Sequence, residues 1–150
     1  MMSSKTKYAL RAMLYIASKH GGSESVLSSE IATDEGIPKK FLEAILLQLR
    51  NKGLLSSRKG KGGGYLLTRD PSQISFGDVV RVFEGSMAPV PCVEPGRQAK
   101  CTECQSGTGC GIRSVMRELY NATVTVLDGT SLEQANENAR RSEVNSMYFI

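Results

Sequence analysis

Residues 38–67 read PKKFLEAILLQLRNKGLLSSRKGKGGGYLL and combine a helical pattern with a glycine-rich hairpin pattern. In the first half of this stretch, apolar residues recur with the 3.6-residue period of a helix, and one face gathers Phe41, Leu42, Ile45, Leu46 and Leu49. The opposite face carries Lys39, Lys40, Glu43, Ala44, Leu47 and Gln48. Pro38 suits a first helical position, and Gly53 suits the left-handed residue that ends a helix. The pattern therefore predicts an amphipathic helix over residues 38–51 with one face free.

The second half of the same stretch predicts a β-hairpin with a positively charged tip. Two short β-type runs, residues 54–59 and 65–69, are joined by residues 60–64, which are four glycines and Lys61. A helix with a polar outer face followed by a basic hairpin is typical of the recognition helix and wing of a winged helix-turn-helix. The alternative is an ordinary amphipathic helix and a surface hairpin whose lysines and glycines serve solubility.

The outer face and the wing supply the candidate DNA contacts. Glutamine pairs with adenine, glutamate accepts from cytosine, and lysine meets phosphate or guanine. Basic wing residues meet phosphates or reach into the minor groove. Glu43 has an alternative role, as the ion-pair partner of Lys39 or Lys40. The predicted contacts are Lys39, Lys40, Glu43, Ala44 and Gln48 on the helix, and Arg58, Lys59 and Lys61 on the wing.

The flanking sequence completes the motif. An apolar helix is predicted over residues 4–20, followed by a short helix capped by Ser28 and a turn at residues 36–37. After the hairpin, residues 74–84 return as a helix with Val79, Val80 and Phe83 inward. The predicted fold is mainly α with a small β-hairpin wing, a winged helix-turn-helix over residues 1–85.

Composition narrows the function. Residues 1–70 carry 12 Lys and Arg against 6 Asp and Glu, whereas the remainder carries 7 against 9, so the basic half contains the wing. No apolar run approaches the ~20 residues of a membrane helix, and we expect a cytoplasmic protein. An enzyme is not expected, because no catalytic motif surrounds the single histidine, His20, and the glycine-rich tip leads into a strand instead of a helix.

Residues 86–111 change character: they hold three prolines and all four cysteines, without usable periodicity. A reducing compartment disfavours structural disulfides, so metal or redox chemistry is the better interpretation. Thiolates suit both iron-sulfur clusters and tetrahedral zinc, and one pair has the CxxC spacing common in zinc sites. Redox-active thiols are a third interpretation. The predicted metal ligands are Cys92, Cys101, Cys104 and Cys110.

The last segment, residues 112–150, predicts a long helix with a pairing seam. Apolar residues alternate at spacings of three and four, at Ile112, Val115, Leu119, Ala122 and Val126. A homodimer would present two recognition helices to half-sites about 34–36 Å apart. The alternative is a helix packed on its own domain. A last helix over residues 132–143 follows, capped by Thr130 or Ser131.

With these residues in view, nearly the whole chain resembles the Rrf2 family of bacterial winged-helix transcription regulators, the group of IscR, NsrR and CymR. The resemblance lies in KYALRAM at residues 7–13, FLE at 41–43 and GGGYLL at 62–67. It continues in ISFGDVV at residues 74–80 and in the Glu84-Gly85 pair that precedes the first cysteine.

The resemblance implies a dimer that binds operator DNA and, in many members, a [2Fe-2S] or [4Fe-4S] cluster held by three cysteines and a variable fourth group. Cys104 and Cys110 match the family's second and third cysteines, and Cys92 matches the first. The chain departs from the pattern in a longer first interval, in the additional Cys101, and in Arg113 where some members carry histidine. The expected function is a regulator that senses redox state, nitric oxide or iron-sulfur status.

Two alternatives stay open. One is the same fold with zinc, a thiol switch or a partner protein as the sensor and no cluster. The other is an iron-sulfur carrier or assembly factor whose basic half is incidental to its function.

Overall fold

The computed structural model describes residues 2–22, 25–97 and 109–147. Within these ranges the chain forms six helices and one two-stranded antiparallel sheet, which confirms the predicted fold class. Short 3-10 turns occur at Pro71–Gln73 and Pro91–Val93. The helices are α1 (Ser4–Ser18), α2 (Ser28–Glu35), α3 (Lys39–Asn51), α4 (Phe76–Glu84), α5 (Gly111–Gly129) and α6 (Leu132–Met147), and the strands are β1 (Leu55–Arg58) and β2 (Gly64–Leu67).

The core forms around α1, which is buried on several sides as its apolar circumference predicts. The inner face of α3 packs into the same core, together with residues from α2, the sheet and α4. The largest fully buried side chains include Met13, Ile31, Leu42, Ile45, Leu46, Leu49 and Val79.

The connection from α2 to α3 contains the turn that the sequence predicts, but both helices begin one residue away from the predicted position. Gly36 adopts the left-handed conformation (φ 60°) and its N–H donates to Ala32, which ends α2. Leu27, and not Ser28, occupies the cap position of α2, and it makes no side-chain cap bond. Pro38 precedes α3 as its cap residue instead of being the first helical residue. Gly53 (φ 78°) follows α3 as expected.

The wing is attached to the domain through a third backbone segment. Strands β1 and β2 pair from Leu55 with Leu67 to Arg58 with Gly64. Val26 then pairs with Tyr65 on the other side of β2, with N–H to oxygen distances of 2.9 and 2.7 Å. A Cβ at Gly64 would lie 2.4 Å from the Val26 oxygen, so only glycine permits this close approach. The pairing fixes the base of the wing.

A hydrogen-bond cluster joins the start of α1 to the end of α4. Glu84 accepts hydrogen bonds from the Thr6 hydroxyl, which is fully buried, and from the Ser3 backbone N–H at 2.8 Å. Ser3 itself caps α1 by accepting from the Thr6 N–H. These donors, with Thr6 the strongest, lower the pKa of Glu84 from 4.5 to about 2.

This depressed pKa predicts an acid-dependent loss of stability. The pKa of Glu84 is lower in the folded than in the unfolded chain. Its contribution is therefore fully present above about pH 4.5 and is lost as the pH falls towards about 2. We expect wild type to be more stable than Glu84→Gln at neutral pH, with the difference in thermal midpoint shrinking through that window. A difference that stays constant with pH would contradict this role.

Helices α5 and α6 relate to the core in opposite ways. In the described structure no residue of α5 is buried, and its seam residues lie exposed. Leu132, by contrast, is fully buried, and the Asn136 amide donates to the Leu14 oxygen at 3.0 Å. Ser131 caps α6 through the Gln134 N–H, as predicted, and the helix continues to Met147, past the expected end at residue 143. Among the described residues, no helix combines the length and apolar character needed to cross a membrane.

Candidate nucleic-acid interface and cysteine segment

The outer face of α3 is open to solvent. Four of its predicted DNA-contacting residues are exposed, and the fifth, Gln48, is half-buried; the exposed four are Lys39, Lys40, Glu43 and Ala44. The alternative pairing of Glu43 with its neighbouring lysines does not occur, since no ion pair between described residues involves any of the three. The first turn of α3 contains no acidic residue to balance the helix dipole. With two lysines and one glutamate, this face therefore carries a net positive charge.

Phe41 differs from the sequence-based expectation. Its helical period predicts a place on the packing face, but its side chain is 39% exposed. Its ring meets the Tyr8 ring edge-on, with centroids 5.7 Å apart, and the Arg11 guanidinium lies 6.0 Å from the Tyr8 ring centre. The aromatic pair holds the first turns of α3 against α1 and leaves part of Phe41 beside the outer face.

The wing presents its basic residues together. Arg58 ends β1, and Lys59 and Lys61 lie in the tip; all three are exposed. The tip is closed by Gly63, whose N–H donates to the Gly60 oxygen at 2.9 Å. The Ser25 hydroxyl also donates to the Gly62 oxygen at 2.6 Å, a contact that no sequence pattern indicated. The tip is therefore positioned by the domain, and its cations form no ion pair with any residue of the described ranges.

Removing the tip lysines is expected to weaken DNA binding in a salt-sensitive way. In Lys59→Ala/Lys61→Ala, the slope of log K against log salt should flatten by roughly 1 for each phosphate that is no longer bound, so by up to about 2. The double variant Arg140→Ala/Arg141→Ala removes the same charge from exposed positions on α6 and should leave the slope nearly unchanged. The measurement is fluorescence anisotropy across a salt series. Equal slopes for the two double variants would contradict the assignment of the wing.

Two of the four predicted cysteine ligands lie in the described structure, and both flank α5. Cys92 is half-buried in the turn Pro91–Val93, whose last residue is fully buried. The Arg117 guanidinium donates to the Cys92 carbonyl oxygen at 3.5 Å. Cys110 is half-buried at the cap position of α5, where its carbonyl accepts from the Ser114 N–H at 3.2 Å. Cys101 and Cys104 lie outside the described residues.

The surroundings of Cys110 fit a soft anionic donor. A groove of about 550 Å³ lies beside it, lined by Arg113 and Arg117 among others. Glu118 also lines this groove, so two guanidinium groups and one carboxylate lie near the start of α5. Thiolates are the donors that iron-sulfur clusters and zinc prefer. Within the described ranges, no three His, Cys, Asp or Glu side chains converge as a metal site.

The arginines of this groove were not identified as functional from the sequence. Arg113 and Arg117 are four residues apart, which places them on one face of α5. Arg117 lies two helical turns after Cys110, so the spacing was visible in the sequence. The contact of Arg117 with the Cys92 turn was not visible in the sequence, because 25 residues separate the two positions.

The seam of α5 carries large apolar side chains in solvent. Ile112, Val115, Leu119 and Val126 are 50–69% exposed. A row of apolar residues this exposed typically marks a protein-protein interface. The alternative, in which α5 packs its seam on its own domain, is not what the structure shows.

The comparisons with known proteins agree with this arrangement. A family model described as Rrf2, iron-dependent transcriptional regulator, matches residues 2–138. An rrf2-like HTH-type transcriptional regulator from Rhodobacter capsulatus is 37% identical over 89% of this chain and 90% of its own length. The regulator CymR of Bacillus subtilis is 33% identical over 99% of both chains. The regulator IscR of Photorhabdus laumondii is 34% identical over 91% of this chain and 79% of its own.

Solved structures give the same result. The structure of CymR, described as the global cysteine regulator of B. subtilis, matches with a TM-score of 0.77 at 31% identity, covering 92% of this chain and 97% of CymR. The structure of T. potens IscR matches with a TM-score of 0.73 at 28% identity, covering 95% of this chain and 90% of IscR. The chain therefore belongs to the Rrf2 family and is a transcriptional regulator.

Proposed function

We propose that this protein is a homodimeric, operator-binding regulator that senses redox state, nitric oxide or iron-sulfur status through a Cys-ligated iron-sulfur cluster. The observation that carries the proposal is the arrangement of α5. Its apolar seam is exposed, and two cysteines flank it. Among the described residues, the lysines of the recognition face and the wing take part in no ion pair.

DNA recognition is assigned to the outer face of α3 and to the wing. Gln48 and Glu43 can read base edges in the major groove, and Lys39 and Lys40 can meet phosphates or guanine. Ala44 is small enough to let the backbone of α3 approach the bases. Arg58, Lys59 and Lys61 would hold the duplex by its phosphates, which positions α3 without selecting a sequence.

The cluster is assigned to the cysteine segment. Cys92, Cys104 and Cys110 would be ligands, with Cys101 as a candidate for the fourth position. Such a cluster supplies a redox-active, oxidant-sensitive group whose loss is chemically easy to trigger. On the protein side, Arg117 holds the Cys92 turn against α5, and Arg113 and Arg117 supply positive charge beside Cys110. The state of this segment would then reach α5, which joins the protomers.

A second candidate is a regulator of the same fold without a cluster, using a thiol switch, zinc or a partner protein. The similarity to CymR favours it, because that similarity extends over 99% of both chains and CymR is named a cysteine regulator. The exposed recognition face and wing support DNA binding in either case. The same observation leaves an iron-sulfur carrier with less support, since a carrier needs no such surface.

The decisive experiment is to purify the protein without oxygen and to measure its absorption spectrum with its iron, sulfide and zinc contents. The cluster proposal expects a coloured protein with iron and sulfide in equal amounts. Cys104→Ala and Cys110→Ala should lose both, whereas Cys101→Ala should keep them if another group is the fourth ligand. Colourless protein that stays free of iron after reconstitution, yet binds DNA, would establish the second candidate.

A further inference from the structure

The C-terminal end of α5 is clamped to α4 by one ion pair. The two Nη atoms of Arg81 each donate to a different Asp128 oxygen, both at 2.7 Å. The hydrogen bonds from Arg81 lower the pKa of Asp128, and the reverse contact raises the pKa of Arg81. Two parallel bonds of this kind fix orientation as well as distance. We refer to Arg81 and Asp128 as the α4–α5 clamp.

Backbone hydrogen bonds secure the same junction directly after α5. The Phe76 N–H donates to the Thr130 oxygen at 3.0 Å, and the Leu132 N–H donates to the Ile74 oxygen at 2.9 Å. Leu132 is then fully buried. The far end of α5, beside Cys110, lies about 28 Å away by the rise of 1.5 Å per residue over 19 residues. One end of α5 is therefore joined to the winged helix-turn-helix through α4, and the other end to the cysteine segment.

Gly77 makes room for the clamp. A Cβ at this buried position would lie 1.8 Å from Asp128 Oδ1 and 2.8 Å from Arg81 Nη1. Gly77 is not among the glycines with positive φ, so its backbone conformation does not require glycine. Glycine is required at this position because any larger side chain would occupy the space of the ion pair. This gives a physical reason for the glycine in the ISFGDVV stretch.

The clamp also continues towards the wing through alternating charges. Asp78, on α4, raises the pKa of Arg81 by its negative charge. On its other side, Asp78 Oδ2 lies 3.9 Å from a terminal nitrogen of Arg69. Arg69 follows the end of β2 by two residues. Four charges of alternating sign thus connect the root of the wing to α5.

We infer that Arg81, Asp128 and Gly77 are positioning residues that fix the angle between α5 and the winged helix, and so set the half-site spacing that a dimer can read. This inference rests on the proposed function, because spacing matters only to a dimer on DNA. If α5 joins the protomers, any rotation at the clamp displaces both recognition helices. One added base pair moves a half-site by about 3.4 Å and rotates it by about 35°. If the clamp holds α5 rigidly, the dimer cannot move its two recognition helices to match such a change in half-site position.

The test compares spacing tolerance in wild type, Asp128→Asn and Gly77→Ala. Asp128→Asn removes the charge with almost no change in volume, and Gly77→Ala displaces the clamp without removing a charge. Glu137→Gln is the matched control, since it removes an exposed ion pair on α6. The probe is the duplex that wild type selects from a random-sequence library, used unchanged and with one base pair inserted or deleted at its centre.

We expect wild type and Glu137→Gln to lose at least about tenfold in affinity when the spacing changes. Asp128→Asn and Gly77→Ala should lose less than about threefold, although they bind the original duplex more weakly. Circular dichroism and molar mass confirm that each variant is a folded dimer. Folded variants whose spacing profile parallels that of wild type would overturn the inference. Failure of wild type to select any duplex would overturn the proposed function and the inference with it.

Discussion

Leu119→Glu is expected to convert the protein to a monomer and to lower its affinity for operator DNA at least about a hundredfold. Leu119 lies in the middle of the exposed α5 seam. In a paired helix, two carboxylates would be forced into an apolar contact where neither has a partner, and their desolvation opposes association. A monomer then loses the gain of about 10²–10⁴ that comes from binding two half-sites at once.

The measurement is molar mass by light scattering, followed by anisotropy on the same samples. Asn121→Glu is the matched control, because it adds the same charge to α5 on the side away from the seam, where the residue is exposed. That variant should stay dimeric. A dimeric Leu119→Glu with normal affinity would show that the seam is not the pairing surface.

Leu46→Ala is expected to reduce the free energy of unfolding by about 2–5 kcal/mol. Leu46 is fully buried on the inner face of α3, where it packs in the core formed around α1. The substitution removes three carbon atoms from a packed interior, and a rigid core closes over the cavity only in part. The loss should appear in urea unfolding followed by circular dichroism at a fixed protein concentration, because the stability of a dimer would depend on concentration.

Leu47→Ala provides the matched comparison at the next position. Its side chain is 43% exposed on the outer face, so the same truncation should change stability by less than about 1 kcal/mol. Both variants shorten a leucine to alanine, and they differ in the face of α3 on which that leucine lies. Equal losses of stability would mean that α3 does not present the faces described above.

Local features of the fold were predictable because they depend on neighbouring residues. The period of α3, the left-handed Gly53 and the Ser131 cap each need information from only a few positions. The α5 seam was also visible in the sequence, because its apolar residues repeat at regular spacings within one helix. The wing followed from its glycines and lysines.

Features that depend on distant contacts were not predictable in the same way. The period of α3 assigns Phe41 to the core, yet its ring packs on Tyr8, 33 positions earlier, and stays partly exposed. Ser28 is a strong cap residue by type, but the backbone reaches its cap position at Leu27. The α4–α5 clamp joins residues 47 positions apart, and no local pattern marks either one as a partner. The cysteine spacing indicated ligands but not the arginines beside them.

The burial of Leu132 has a consequence for how the chain is made. The core around α1 is completed by this residue and by the Asn136 bond to Leu14, both supplied by the far end of the sequence. During synthesis, the core of the winged helix-turn-helix therefore lacks the Leu132 side chain until most of the chain has been made. Chains truncated before residue 132 should be cleaved by protease faster than the 150-residue chain. The absence of Leu132 from the core would also limit DNA binding by incomplete chains.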